Sequence, residues 1–445
     1  MLKDKKIGLI SLGCDKNRVD SERALALIKN NAVLTSNLAE ANVVVINSCA
    51  FLESARQEAV ETVFEVNSLR DNGNLEKIVL TGCLPQKFIQ DIFEEFVEVD
   101  VFLGFLDYDL LFEALELAYQ NKRVNFVGKN KKVEIKDRVL TTPCHYSYLK
   151  IADGCNNKCT YCLIPKIRGK YVSVPMEELL SEAKSLGDLK ELILVAQDVT
   201  RYGEDIYGER KIVELIKRLS ALENVEKIRL LYCYPDAISL ELINELKTND
   251  KLIKYIDIPL QHSENSILKL MNRKGSREEY LKLIKTLRDE VENITIRSTF
   301  ITGFPGETQE DFNGLIDFIK TAKFENAGFF AYSREDGTPA FKLPNQVDDK
   351  VKQKRLKKLY SVQKGISKTA YKRYVNKTVS VVCDGIDYEK QSFYGRCDAF
   401  APEIDGRVYF TYDDGVISQG ETYNVLIENS TEYDLYGRVS DEFTE

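Results

Sequence analysis

Residues 154–162 read GCNNKCTYC, with cysteines at Cys155, Cys159 and Cys162 and an aromatic residue, Tyr161, before the last of them. This motif directly follows an apolar run at residues 148–153 that predicts a β-strand. Three thiolates on one loop can each bind one iron of a four-iron cube and leave the fourth iron open. Zinc is the alternative, but structural zinc takes four protein ligands, usually from two CxxC-like pairs. The spacing therefore favours an iron–sulfur cluster.

The run before the motif is the first of six predicted strands that alternate with helical patterns. The strands are predicted at residues 148–153, 191–197, 227–233, 255–261, 295–303 and 327–333. Helices between them are predicted at, for example, residues 176–186, 212–222 and 276–291. Six βα units are too few to close an eightfold barrel, so residues 146–347 are predicted to form an open (βα)6 partial barrel. Functional loops are expected at the carboxyl ends of its strands.

The segment before this barrel shows the same alternation on a smaller scale. Apolar runs at residues 6–12, 41–47 and 77–81 are each followed by a helical pattern. This rhythm predicts an N-terminal α/β domain with a parallel sheet over residues 1–121. Residues 122–145 lose the periodicity and are predicted to be a linker.

The segment after the barrel divides by charge. Residues 350–377 contain eleven Lys or Arg and no Asp or Glu, and residues 348–377 are predicted to form a basic connecting helix. Residues 378–445 hold five short alternating runs, which predict a small antiparallel β-barrel. That segment has 4 basic and 15 acidic residues, a net charge of −11, whereas the rest of the chain carries about +3. The acidity is therefore local.

The composition is that of a globular protein. The chain has 445 residues, of which 44% are hydrophobic and 30% charged, and its net charge is −8. No apolar run approaches the roughly 18 residues that a membrane span requires, and no export signal is visible, so we predict a cytoplasmic protein without a membrane partner. A chain of this length needs no disulfide staples. Its ten cysteines are better explained by metal or redox chemistry.

Three further cysteines, Cys14, Cys49 and Cys83, each follow one of the N-terminal apolar runs. Equivalent ends of parallel strands lie on one edge of a sheet, about 5 Å from neighbour to neighbour, so these thiols are predicted to converge on one object. Gly13 and Gly82 would let the backbone approach it closely. Three unrelated buried cysteines are the alternative. Ordinary packing is predicted for the remaining four, Cys144, Cys233, Cys383 and Cys397.

Taken together, these motifs resemble the methylthiotransferase family of the radical S-adenosylmethionine superfamily. The resemblance runs nearly end to end, through SLGCDKN at 11–17, VDSE at 19–22, NSC at 47–49, TGCL at 81–84, the cysteine loop and GFPGE at 303–307. It implies an N-terminal domain with three cluster cysteines, a radical S-adenosylmethionine domain and a C-terminal TRAM barrel.

Of two branches in this family, one modifies adenosine in transfer RNA and the other an aspartate of ribosomal protein S-twelve. The chain is more similar to the second, through SLGC at 11–14, AQD at 196–198 with RYG at 201–203, APEIDG at 401–406 and YDLYG at 433–437. Charge agrees, because an acidic barrel would repel RNA phosphates and suits a basic ribosomal protein. The alternatives are the transfer RNA enzyme and, more remotely, a zinc-stabilised binding module without catalysis.

The resemblance implies two [4Fe-4S] clusters. One, on Cys155, Cys159 and Cys162, binds S-adenosylmethionine and generates the radical that removes a hydrogen from the β-carbon of the target aspartate. The other, on Cys14, Cys49 and Cys83, holds the sulfur, which a second S-adenosylmethionine methylates. Such an enzyme needs a sulfur donor and an electron donor such as flavodoxin or ferredoxin. It meets ribosomal protein S-twelve either free or in the small subunit.

Five side chains are predicted to contact S-adenosylmethionine. Tyr161 lies next to a cluster ligand and is expected to contact the adenine, with simple core packing as the alternative. The other four are placed at the carboxyl ends of predicted strands and are Gln197, Gln261, Arg297 and Phe304. For Arg297 the expected partner is the cofactor carboxylate, and a surface salt bridge is the alternative.

Overall fold

A computed structural model describes residues 2–130, 137–412 and 415–440. Residues 131–136 of the predicted linker, and residues 413–414 and 441–445 of the predicted barrel segment, lie outside the described residues. No helix among those described has both the length and the apolar composition needed to cross a bilayer.

The N-terminal region is a six-stranded, all-parallel sheet in the order β2-β1-β3-β4-β5-β6. Its strands are β1 Lys6–Ser11, β2 Val33–Leu34, β3 Val43–Ser48, β4 Lys77–Gly82, β5 Val101–Phe102 and β6 Val124–Asn125. Its helices are α1 Asp15–Asn31, α2 Glu53–Asn72, α3 Cys83–Glu95 and α4 Leu111–Ala118. All six residues of β3 are buried, as expected for a central parallel strand covered on both faces.

The three predicted N-terminal strands correspond to β1, β3 and β4. The other three have only two residues each, too few to give an apolar run of their own. One of them, β6, falls in the segment predicted to be a linker. It joins the sheet because Val124 and Phe126 are buried against it.

The central region is a second all-parallel sheet of six strands, open at both edges, in the order β14-β13-β12-β11-β10-β7. The predicted open partial barrel is confirmed. Its strands are β7 Tyr146–Lys150, β10 Leu189–Val195, β11 Val225–Leu230, β12 Leu252–Gln261, β13 Thr295–Thr302 and β14 Asn326–Ala331. A separate antiparallel pair, β8 Ala152–Asp153 and β9 Val172–Ser173, flanks the cysteine loop. Its helices are α5 Ile164–Ile167, α6 Met176–Ser185, α7 Glu204–Tyr207, α8 Ile212–Ser220, α9 Leu240–Thr248, α10 Asn265–Leu270, α11 Arg277–Glu290 and α12 Gln309–Ala322.

The two faces of this sheet are covered differently. Helices cover one face and form the largest hydrophobic core of the molecule. The other, inner face presents Tyr146, Tyr148 and Tyr255, and it packs against Val19 of helix α1 and Ala401 of the C-terminal barrel. The N-terminal and C-terminal regions thus close the inner face that six strands alone leave open.

A long helix, α13 Asp349–Tyr371, leads to the C-terminal barrel. It ends six residues before the predicted end, because the chain turns into the barrel through a 3-10 turn and a left-handed Asn376 (φ 63°). The barrel is closed, with strands β15 Thr378–Asp387, β16 Ser392–Arg396, β17 Val408–Thr411, β18 Thr422–Ser430 and β19 Leu435–Val439. The predicted five-stranded barrel is confirmed, and one of its neighbouring pairs, β17 with β19, runs parallel.

Candidate functional site

The loop of Cys155, Cys159 and Cys162, here called the motif trio, follows β8 and is held by backbone contacts. Gly154 has φ 74°, and a Cβ there would lie 2.1 Å from the carbonyl oxygen of Lys170. Thr160 donates its N–H to the carbonyl of Met271 at 3.0 Å and accepts from the N–H of Ala340 at 2.9 Å. The end of α10 and the segment after β14 therefore fix the middle of the loop.

Two sulfurs of the motif trio accept hydrogen bonds from the backbone. The sulfur of Cys155 accepts the N–H of Asn157, and the sulfur of Cys162 accepts that of Ile164, each at 3.4 Å. Burial raises the pKa of the Cys155 thiol and raises that of Cys162 to about 12. A metal bound here would displace these protons, and the two N–H groups would then stabilise the anionic sulfurs.

Two residues beside Cys159 were not predicted from the sequence. The hydroxyl of Tyr234 lies 3.2 Å from the Cys159 sulfur, and the guanidinium of Arg273 lies 3.9 Å from it and 3.9 Å from the centroid of the Tyr234 ring. Arg273 is buried, so it brings a positive charge close to the sulfur. Tyr234 follows β11 and was recognisable by that position, whereas nothing local marks Arg273.

The second set, Cys14, Cys49 and Cys83, is here called the auxiliary trio, and it follows the neighbouring strands β1, β3 and β4. A Cβ at Gly13 would lie 2.7 Å from Cβ and 3.2 Å from Sγ of Cys49. Cys49 and Cys83 are buried, whereas Cys14 is exposed. Burial raises the pKa of Cys49, and it raises that of Cys83 to about 12.

The backbone before Cys83 requires glycine. Gly82 has φ 95°, and a Cβ there would lie 2.3 Å from Oδ1 of Asn47 and 2.5 Å from the carbonyl oxygen of Ser48. We expect Gly82→Ala to displace Cys83 and to lower the unfolding free energy by at least about 2 kcal/mol. Urea unfolding measures this loss of stability. Gly365→Ala is the matched control, since that site in α13 is open, and it should stabilise by up to about 1 kcal/mol. Equal stability of Gly82→Ala and the parent would contradict the strain.

Residues in or beside each trio contact the segment just beyond β11, at the carboxyl end of the central sheet. Helix α1 begins directly after Cys14 and contacts the inner face there. The ammonium of Lys16 lies 3.4 Å from the centroid of the Tyr232 ring, just beyond β11. Tyr232 has φ 61°, a left-handed conformation that the surrounding contacts must hold.

Neither trio is arranged around a single ion. In the described part of the chain, no three or more His, Cys, Asp or Glu side chains are grouped so as to hold one metal ion. Three sulfurs bound to three irons of a cube stand farther apart than three ligands of one ion. All ten cysteines are free thiols, so both trios are available as thiolate ligands.

The predicted cofactor residues fall into two groups. The rings of Tyr161 and Phe304 lie 6.4 Å apart, edge to face, in one apolar cluster with Tyr332. Gln197 donates to Oδ1 of Asp153 at 3.1 Å, and its own carbonyl oxygen is buried without a partner among the described residues. Gln261 ends β12 in a left-handed conformation (φ 73°). These four lie at or beyond strand ends, or in the motif loop.

Arg297 is placed differently. It is the third residue of β13, near the amino end, and not at the carboxyl end where the sequence analysis placed it. Its guanidinium pairs with Asp257 at 3.0 Å and with Asp405 of the C-terminal barrel at 3.3 Å. The predicted strand at residues 295–303 already had Arg297 as its third residue, so the assignment to the carboxyl end was wrong. A contact with the cofactor stays a prediction.

Glu307 holds the turn that carries Phe304. Its carboxylate accepts from the hydroxyl of Thr302 at 3.0 Å, from the N–H of Gly303 at 2.6 Å and from the guanidinium of Arg355 in α13 at 2.8 Å. All these groups are buried or nearly so, and α13 thereby fixes the turn.

We expect Glu307→Gln to lower the unfolding free energy by about 3 kcal/mol, because it leaves the buried charge of Arg355 without its partner. Urea unfolding measures the loss. Glu310→Gln, on the exposed first turn of α12, should change it by less than about 0.5 kcal/mol. The assignment would be contradicted if both variants unfolded at the same midpoint.

Comparisons with known proteins cover nearly the whole chain. Three family models match: the uncharacterized protein family UPF0004 over residues 6–104, the radical SAM superfamily over residues 149–319 and the TRAM domain over residues 375–439. Among solved structures, the radical S-adenosylmethionine methyltransferase TsrM from Kitasatospora setae superposes with a TM-score of 0.54, covering 76% of this chain and 77% of that one. At 14% identity this likeness concerns the fold alone.

Curated relatives are much more similar. The ribosomal protein uS12 methylthiotransferase RimO of Clostridium botulinum (strain Okra / Type B1) is 43% identical over 443 residues, 99% of each chain. The protein of the same description from Acetivibrio thermocellus is 44% identical over 451 residues, covering 98% of this chain and 99% of that one. With such identity from end to end, the chain belongs to the ribosomal protein uS12 methylthiotransferase family of radical S-adenosylmethionine enzymes.

Proposed function

We propose that this chain transfers a methylthio group to the β-carbon of an aspartate in ribosomal protein S-twelve, in the cytoplasm. The observation that carries the proposal is that both cysteine trios adjoin the segment just beyond β11, where Tyr234 contacts Cys159 and Tyr232 contacts Lys16, two residues after Cys14. The names of the curated relatives support this substrate. Membership of an enzyme family leaves no support for a zinc-stabilised binding module.

The two trios have separate tasks in this proposal. Cys155, Cys159 and Cys162 would hold one [4Fe-4S] cluster, and Cys14, Cys49 and Cys83 would hold the other. When bound, the clusters with two molecules of S-adenosylmethionine supply the radical that an unactivated C–H bond requires and the sulfur that replaces the hydrogen. The radical S-adenosylmethionine assignment supports the first cluster, and the auxiliary trio supports the second.

The surrounding residues would bind and orient the cofactor. Tyr161 and Phe304 offer an apolar, edge-to-face pair for the adenine, and the unpartnered carbonyl of Gln197 offers a hydrogen-bond acceptor. Arg273 and Tyr234 would stabilise negative charge on the Cys159 sulfur. A reductase such as flavodoxin or ferredoxin and a sulfur donor must complete the reaction from outside the chain.

The C-terminal barrel favours a protein substrate over transfer RNA. Residues 378–445 carry a net charge of −11, which opposes phosphate and attracts a basic ribosomal protein. The barrel contacts the inner face through Asp405, which accepts from the Tyr255 hydroxyl at 2.7 Å, so a partner bound to the barrel lies beside the half-barrel.

Anaerobic reconstitution with iron and sulfide, followed by S-adenosylmethionine, a reductant and ribosomal protein S-twelve, tests the proposal. We expect 5'-deoxyadenosine together with a methylthio mass increase on one aspartate. Transfer RNA offered in a parallel reaction should stay unmodified. A methylthio group on transfer RNA and none on S-twelve would overturn the choice of substrate, while a colourless protein that binds zinc and no iron would overturn the chemistry.

A further inference from the structure

One buried arginine lies between the two cysteine trios. The side chain of Arg168, 2% exposed, follows the motif loop at the end of α5. Its guanidinium donates to Oδ1 of Asn17 at 2.5 Å, to Oδ2 of Asp153 at 2.6 Å and to Oδ2 of Asp20 at 3.1 Å. These acceptors come from the N-terminal and the central regions, so the guanidinium joins the two.

On the N-terminal side, the contact reaches all three auxiliary cysteines through Asn17. The amide of Asn17 donates to the carbonyl of Leu12 at 3.1 Å and to that of Ser48 at 3.2 Å. Leu12 precedes Cys14 by two residues, and Ser48 directly precedes Cys49. The sulfur of Cys83 lies 3.8 Å from Oδ1 of Asn17, the atom that Arg168 holds.

On the central side, the contact reaches the start of the motif loop through Asp153. The other carboxylate oxygen of Asp153 accepts the N–H of Gly154 at 2.8 Å and the amide of Gln197 at 3.1 Å. Cys155 follows two residues later. A single guanidinium is therefore one side chain away from each trio.

The charge of Arg168 also acts on the auxiliary trio directly. Its guanidinium and the Cys83 sulfur lie 2.5 Å and 3.8 Å from the same atom, Oδ1 of Asn17. Reduction of a cluster on these cysteines adds a negative charge, which a buried cation nearby stabilises.

We propose that Arg168 is a positioning residue that fixes the spacing of the two trios and raises the reduction potential of a cluster on the auxiliary trio. The inference rests on the proposed function for the presence of that second cluster. The roles proposed above for the other residues stay the same.

The potential is best measured where only the auxiliary trio can hold iron, in a Cys155→Ala, Cys159→Ala, Cys162→Ala background. After reconstitution, a redox titration followed by electron paramagnetic resonance gives the midpoint. We expect R168Q to lower the ratio of reduced to oxidised cluster about tenfold at a fixed potential, which corresponds to 59 mV for one electron. R168K keeps the charge and should stay close to the parent.

Arg229→Gln is the matched control. Arg229 is also buried and paired, with Glu191, but it lies on the inner face near the C-terminal barrel and contacts neither trio. It should leave the midpoint unchanged. If R168Q took up iron normally and its midpoint potential did not shift, the role of Arg168 in setting the potential would be overturned and the second cluster would stand. If the auxiliary trio took up no iron in the triple-alanine background, both the second cluster and the role of Arg168 would be overturned.

The spacing is tested separately, and this test also serves if R168Q does not fold. When the cysteines of both trios are present, the electron paramagnetic resonance spectrum of the doubly reduced protein shows the magnetic interaction between the two clusters. R168K cannot bind Asn17 and Asp153 together in the planar geometry of arginine. We expect the interaction to change in R168K and to persist in Arg229→Gln. An identical interaction in R168K and the parent would overturn the positioning role.

Discussion

Cys159→Ala should abolish the formation of 5'-deoxyadenosine, down to the level without protein. Cys159 is the most buried member of the motif trio, and its sulfur contacts Tyr234 and Arg273. Two remaining ligands do not hold a cluster on that loop. Iron should fall from about eight to about four per chain, since the auxiliary trio is untouched. Chromatography of the nucleoside and an iron assay measure both effects.

Cys144→Ala is the control for this variant, because Cys144 is exposed and lies outside both trios. It should keep the iron content and the nucleoside yield of the parent. If Cys159→Ala still released 5'-deoxyadenosine with S-adenosylmethionine and reductant, the motif trio would not be the site of radical formation.

Cys49→Ala should separate the two halves of the reaction. The motif trio is intact in this variant, so 5'-deoxyadenosine should still form, while methylthio transfer to ribosomal protein S-twelve should be lost. Cys49 is buried beside Gly13 and has the central place in the auxiliary trio, because β3 lies between β1 and β4. Mass spectrometry of S-twelve and the nucleoside yield, taken from one reaction, show the separation.

Cys397→Ala provides a matched control, since it removes a buried thiol from the core of the C-terminal barrel. Methylthio transfer should persist in it. A methylthio group on S-twelve in the Cys49→Ala reaction would show that the sulfur does not come from the auxiliary trio.

Local sequence was sufficient for the architecture. Strand and helix periodicity predicted the open six-stranded sheet and the closed five-stranded barrel, because each strand buries a run of its own residues. The cysteine loop was recognisable because its three cysteines lie within eight residues. The auxiliary trio was recognisable by its equal position after three strands. Strands of two residues, such as β6, could not be recognised from the sequence, since so short a run carries no pattern.

The tertiary structure decided what surrounds the cysteines. Arg168 meets Asn17 across 151 positions of the chain, and Arg273 meets Cys159 across 114. It also placed Arg297 against Asp405 of the C-terminal barrel. Sequence by itself determined the main elements and identified the two cysteine trios, because periodicity and spacing are local. Only the folded chain determined the charges around them, because a buried ion pair depends on which distant segments meet, and no local pattern records that meeting.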